Sequence, residues 1–151
     1  MIKGRVAETL IQELFLSLGY NVFYYGMERS VPGIAELLRT NSSQVSKEIR
    51  SMPDFIMRNQ KTNDVFFAEV KHRANGCFSI DELAEDYPWP NAIFIIVSKK
   101  HIKCLTFQDL KEGKCITAKS QNYLYKRKEF ELDKETIVSF CRMAIKFFEG
   151  V

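Results

Sequence analysis

Residues 92–97 read Ala-Ile-Phe-Ile-Ile-Val, six apolar side chains in a row with turn-forming residues at both ends. A strand points alternate side chains to opposite faces, so a strand with no polar position must be covered on both. This run therefore predicts a central strand in a layered fold, with material packed above and below a sheet. At 151 residues the chain suits one domain, 1–151, long enough to bury such a core. No apolar run approaches the ~20 residues of a membrane span. Glu8 interrupts the first apolar pattern, which argues against a signal peptide, so a cytoplasmic protein is expected. Cys77, Cys104, Cys115 and Cys141 lack CxxC spacing and read as reduced thiols, with zinc or disulfides as the alternative.

The remaining elements follow from periodicity. In residues 3–18, Val6, Ala7, Leu10, Ile11, Leu14, Phe15 and Leu18 recur at helical spacing, and Gly19 suits the end of that helix. Glu8 lies on the edge of this stripe and reads equally as a boundary glutamate or as an acid facing the sheet. Residues 20–25 are rich in β-formers and predict the first strand. Residues 26–52 predict a helical insertion, with one helix after Pro32-Gly33 and another from Ser43 through Val45 and Ile49. Its spacing is similar to a helix-turn-helix but departs at Arg39 and Thr40. Ser79-Ile80-Asp81-Glu82 is a capping box, predicting a helix through Leu83, Ala84 and Tyr87 that stops before Pro88. Ile102, Cys104 and Leu105 predict a further strand, and Thr106 to Leu110 a turn of helix ending near Gly113. Asp133 caps a last helix whose stripe is Ile137, Phe140, Cys141, Ala144 and Phe148, ending at Gly150. That stripe is core first and a dimer surface second.

The chemistry concentrates in residues 53–71. Phe55, Ile56 and Met57 precede a polar turn and residues 65–68 follow it, the pattern of a β-hairpin. With the turn centred between Lys61 and Thr62, Ile56 faces Phe67, Met57 faces Phe66, and Asp54 faces Glu69. Facing carboxylates repel, and apolar neighbours raise that cost. Lys71 falls on the same side as Glu69 and relieves part of it. A divalent ion with oxygen ligands would relieve more and leave the lysine for chemistry. The bland alternative is a frayed hairpin end whose three side chains are solvated.

Pro53-Asp54 followed by Glu69-Val70-Lys71 resembles the signature of the PD-(D/E)xK nuclease superfamily, and the order of elements from residue 3 to about 110 is similar to its Holliday-junction resolvase-like members. The resemblance implies an α/β (α+β) restriction-endonuclease-like core: a central mixed sheet of about five strands flanked by helices, here with the insertion at about 26–52. It implies a Mg²⁺- or Mn²⁺-dependent deoxyribonuclease with Asp54, Glu69 and the Val70 carbonyl as metal ligands. Lys71 would act on the attacking water or the phosphate. Gly4-Arg5-Val6-Ala7-Glu8 looks like the family's first-helix pattern, making Glu8 a further catalytic or metal-binding acid. A homodimer acting on branched or duplex DNA, without a small-molecule cofactor, is expected on the same ground. The alternatives are a restriction or defence enzyme of the same fold, and a non-catalytic nucleic-acid-binding or assembly module.

Charge is unevenly spread. Residues 99–128 hold nine basic and two acidic residues, against ten and twelve in 1–98 and three and five in 129–151. A one-sided segment is a candidate phosphate-binding surface or a solvated face. The candidate nucleic-acid contacts are Arg29, Arg39, Lys47, Arg50, His72, Arg73, Lys99, Lys100, Lys126, Arg127 and Lys128. Tyr123 and Tyr125 lie among the last of these, where aromatics beside cations suit stacking on an exposed base.

Overall fold

The structure is a computed structural model that describes residues 2–26, 31, 33–83, 85–130 and 132–149. Arg29, Pro32, Ala84 and Gly150 lie outside the described residues. Helix α1 (Ile2–Ser17) leads into β1 (Tyr20–Tyr24), with Gly19 at φ +87° making the reversal between them. Two short helices, α2 (Ile34–Thr40) and α3 (Gln44–Arg50), form the insertion, and Ser43 caps α3 by accepting from Ser46 N. Then come β2 (Phe55–Asn59), β3 (Val65–His72), β4 (Ala92–Val97), β5 (Ile102–Thr106), α4 (Phe107–Lys111) and the long α5 (Lys134–Glu149).

The strands lie in sequence order, β1-β2-β3-β4-β5, with β3 and β4 parallel and every other pair antiparallel. This is the mixed five-stranded sheet with flanking helices that the sequence predicts. All six residues of β4 are buried, as a strand covered on both faces must be. One face packs Phe55, Met57, Ala68, Val70, Ile93 and Ile95 against α1 and α5. The other packs Phe94, Ile96 and Leu105 against Phe78, Leu110 and Ile116. Ala7, Leu10, Ile11, Leu14 and Phe15 fix α1, and burial of that many apolar side chains contributes roughly 10 kcal/mol. That anchorage fixes where Glu8 stands.

The β3–β4 connection departs from expectation. The capping box forms, with Ser79 and Glu82 bonding reciprocally, but only a 3₁₀ turn (Ile80–Glu82) follows and Leu83 is already extended at φ −103°, ψ 154°. Leu83, Tyr87 and Trp89 all turn down onto the sheet, over more surface than one helical stripe covers. Pro88 and Pro90 bar a helix beyond them, and so short a helix nucleates poorly without a packing reward. The segment becomes a strap across the Phe67–Phe94 face. Residues 114–130 are also irregular, held to the edge of β5 by an isolated bridge between Lys103 and Tyr123 and by Cys104 N donating to Asn122 O at 2.8 Å. The four cysteines are free thiols. Among the described residues no helix is long and apolar enough to cross a membrane.

Candidate active site

The β2–β3 hairpin holds the register read from its turn: Ile56 pairs with Phe67 and Met57 with Phe66. Asn59 builds the turn locally. Its side-chain Oδ1 accepts from Lys61 N (2.9 Å) and Thr62 N (3.3 Å), and Asn63 closes it at φ +66°. Continuing the pairing past Phe55–Ala68 brings Asp54 to Glu69, and Asp54 Oδ2 accepts from Val70 N at 2.8 Å across the hairpin. The Asp54 main chain is held as well, its carbonyl accepting from Tyr25 N at 2.9 Å. Lys71 Nζ lies 2.8 Å from Glu69 Oε1, the two side chains being 32% and 13% exposed.

These groups line a cavity of about 310 Å³ together with Glu8, Val70 and Arg50. Glu8 enters from the edge of the α1 stripe, so the structure places it with the other acids rather than in solvent. Burial, then the Glu69 carboxylate and Glu8, push the Asp54 carboxyl up to about 8, against the Val70 hydrogen bond and Lys71, which pull it down. Burial also raises Glu69, with Glu8 adding to it and Lys71 opposing. For Lys71, burial works against the ammonium, but Glu69 and Asp54 outweigh it and hold the group above its ordinary range.

Among the described residues no three His, Cys, Asp or Glu side chains stand close enough to enclose an ion by themselves. A hard cation that keeps several waters needs only one or two carboxylates. The donor set fits that mode: Glu69 Oε2 is buried with no hydrogen-bond partner, next to a second carboxylate whose charge is poorly compensated.

The other candidate residues scatter. Arg50 reaches the cavity mouth while its Nη2 donates to Asn41 O at 2.8 Å. Lys47 lines a separate shallow cavity with Asp86, and Arg39 is paired with Glu36 on the surface. His72 lies on the opposite sheet face from Lys71, its ring 4.5 Å from Phe148 of α5 and its Nε2 buried. Burial, then Lys3, Arg73 and Lys99, hold it below its ordinary value, and it lines an open cavity with Lys3, Lys71 and Arg73. Arg73 pairs with Glu82 at 2.8 Å, and Arg127 pairs with Asp109 at 3.0 Å. Lys99, Lys100, Lys126 and Lys128 are exposed. Arg29 is outside the described residues.

Sequence reasoning missed one residue that lines the cavity and one that feels its acids. Tyr24 lines the cavity and its hydroxyl donates to Gln12 Oε1 at 2.7 Å. Tyr87, read as one apolar position of a helix, lies on the strap with its ring 5.6 Å from Phe94, the neighbour of Glu69 in the parallel register. Its hydroxyl is buried without a partner, and burial, then Glu69 and Asp54, raise its pKa. Only the strap conformation brings it there, and no local pattern encodes that.

No protein-family model matches the chain. No curated protein matches it either. Among solved structures it is similar to Hjc of Archaeoglobus fulgidus, a Holliday junction resolvase, at 17% identity and a TM-score of 0.43, over 79% of this chain and 88% of that one.

Proposed function

We propose that this chain is a metal-dependent DNA endonuclease that hydrolyses phosphodiester bonds, of a resolvase-like or other structure-specific kind. One observation carries the reading: Glu8, Asp54, Glu69 and Lys71 line a single cavity, and its buried carboxylates are short of positive charge. Asp54 and Glu69 would hold Mg²⁺ or Mn²⁺, with the Val70 carbonyl as a further oxygen and Glu8 bonding to the ion's water shell. When bound, the ion supplies a Lewis acid for the phosphoryl oxygen and a water of lowered pKa. Lys71 remains an ammonium beside Glu69 and contributes positive charge where the transition state gathers negative charge. Arg50 at the mouth holds a neighbouring phosphate.

The protein acts as a cytoplasmic homodimer in this reading. A groove between α1 and α5 leaves Ile2, Met143 and Phe147 exposed, the last at 55%. Arg5 and Glu13 on its rim would pair in a two-fold antiparallel contact with a second copy. Light scattering measures that directly.

The decisive experiment is a cleavage screen over linear, nicked, flapped and four-way DNA, with and without Mg²⁺ or Mn²⁺. Cleavage that needs the ion supports the proposal, and the preferred substrate separates a junction enzyme from a restriction or defence enzyme. Binding without cleavage of any substrate would make the chain a non-catalytic module.

A further inference from the structure

A second cavity of about 310 Å³ opens where β5 begins, lined by Lys100, His101, Tyr123, Tyr125, Lys134 and Arg142 over an aliphatic floor from β5 and α5. No acidic side chain lines it among the described residues. The two tyrosines stand parallel, ring centroids 5.5 Å apart and planes 3° apart. Leu124, fully buried between them, anchors the 3₁₀ turn that presents both rings on one side. The Lys103–Tyr123 bridge fixes the backbone beneath. Cations border the pair: Lys134 Nζ lies 4.8 Å from the Tyr125 centroid, and Lys126 and Lys103 Nζ lie 5.3 and 5.4 Å from that of Tyr123, while Tyr125 rests partly buried against the core. His101 sits edge-on to Tyr123 at 5.1 Å, and burial, then Lys103 and Lys100, lower its pKa, so it adds a polar edge rather than a charge.

We propose that this cavity binds a single-stranded nucleic-acid segment, with one base on the Tyr125 face and its flanking phosphates on Lys100, Lys134 and Arg142. Aromatic faces beside mobile cations are how unpaired strands are held without sequence readout. Such a face is reached only by a base that has left its stack, and a cavity of this size accepts a base and its phosphates but not a duplex. Lys134 is exposed on a flexible stem and can trade its ring contact for a phosphate.

Position links the cavity to the catalytic one. His72 pairs with Val97 and Val97 with Ile102, so both cavities lie toward the same end of the sheet, with Glu69 and Lys71 on the Phe67–Phe94 face and the β5 cavity on the α5 face. Lys99 and Lys100 stand on the turn between them. A strand cut at Lys71 would pass around this end of the sheet to reach Tyr125, which names the substrate as DNA with an unpaired segment near the scissile bond. That assignment of the strand rests on the nuclease reading; the binding itself does not.

The test is fluorescence anisotropy in EDTA, where no cleavage occurs, with a labelled twelve-residue oligothymidine, an abasic oligomer of equal length, and a blunt hairpin duplex. The oligothymidine should bind about 10-fold tighter than the abasic strand, as loss of one stacked base predicts. Tyr125→Leu keeps the apolar packing and removes the ring. It should erase that difference while leaving the thermal midpoint within a few degrees. Lys100→Ala and Arg142→Ala should each flatten the salt dependence by about 0.7 in log–log slope. Equal affinity for the abasic strand, or tighter binding of the hairpin duplex, overturns the proposal. So does competition by polyglutamate as effective as by the oligomer, which would assign the cavity to an acidic protein. The abasic comparison needs no variant, so a misfolded Tyr125→Leu cannot rescue the idea. Binding without cleavage would remove the nuclease reading and leave this one standing; cleavage without single-strand binding would do the reverse.

Discussion

Two cavities of the same size at one end of the sheet treat charge in opposite ways. The hairpin cavity buries the Asp54 and Glu69 carboxylates beside one ammonium, with Glu8 lining the same space, so the charge of the buried pair is poorly compensated. The β5 cavity keeps Lys100, Lys134 and Arg142 exposed over an aromatic pair, where solvent already compensates each charge. Uncompensated buried charge is a store of binding free energy for the one kind of ligand that neutralises it, and it makes single residues decisive. Solvated charge gives many small contributions that add and that salt screens. The first arrangement suits an ion and a chemical step, the second an extended polyanion.

The largest effects should therefore come from the hairpin cavity. Asp54→Ala should lower kcat/KM for Mg²⁺-dependent DNA cleavage by about 10³-fold and weaken Mg²⁺ binding measured by calorimetry, because one carboxylate cannot replace two. Lys71→Ala should cost about 10²-fold, the usual loss when one group that stabilises developing charge is removed. Full activity in either variant would dismantle the proposed chemistry, whatever happens to the fold.

The same uncompensated charge should cost stability. The folded metal-free protein keeps the Asp54 proton up to about pH 8, whereas the unfolded chain releases it near the ordinary 3.8. The contribution of this group to stability is thus complete below pH 4 and is lost as pH rises toward 8. Asp54→Asn, which retains an acceptor for Val70 N, should be inactive yet more stable than the native chain at pH 8, by roughly 1–3 kcal/mol. That gain should shrink steadily toward pH 4 in urea titrations. A constant gain across the range would show that the carboxyl is not held protonated.

The contrast between the cavities also explains what could be read from the sequence. Hairpin register is local: the Lys61–Thr62 turn sets which residues face, and the apolar alternation allows no slip without exposing Phe55 and Met57. Asp54, Glu69 and Lys71 were legible for that reason, as was β4 from its unbroken apolar run. Glu8 was half legible, since periodicity put it on an edge but only the packing of α1 decided which neighbour it met. Tyr87 was not legible at all. Its place depends on a strap that prolines and long-range packing bend away from the helix its capping box begins. Basic residues are the hardest to read, because their partners are set by tertiary contacts. Arg73 and Arg127 read as candidate DNA contacts in the sequence, which gives no sign that the fold sets Glu82 and Asp109 beside them.

Arg50 sharpens the boundary between the two regimes, being an exposed cation at the mouth of the acidic cavity. Arg50→Ala should weaken DNA binding by about 5-fold and leave Mg²⁺ affinity unchanged, since its contribution is one phosphate contact in high dielectric. A fall in metal affinity would move Arg50 into the electrostatics of the carboxylates.

The smallest effect on DNA should come from Arg127, whose charge is already spent inside the protein. Its Nη1 meets Asp109 Oδ2 at 3.0 Å with the two side chains 20% and 14% exposed. Asp109 in turn accepts from Thr106 N at 3.1 Å in the capping box of α4. Burial alone would raise the Asp109 carboxyl, but hydrogen bonds from Thr106, Lys114 and Arg127 outweigh it and hold it down to about 2. Because the folded value lies below the unfolded one, this network stabilises the protein above about pH 4 and ceases to as pH falls through 2. Arg127→Ala should therefore cost about 1 kcal/mol of stability at pH 7, a cost that fades in acid, while changing oligonucleotide affinity less than 2-fold. A large loss of affinity with unchanged stability would return Arg127 to the nucleic-acid surface. The β5 cavity would then extend across the α4 cap, and its contrast with the acidic cavity would rest on location rather than on what each charge is paired with.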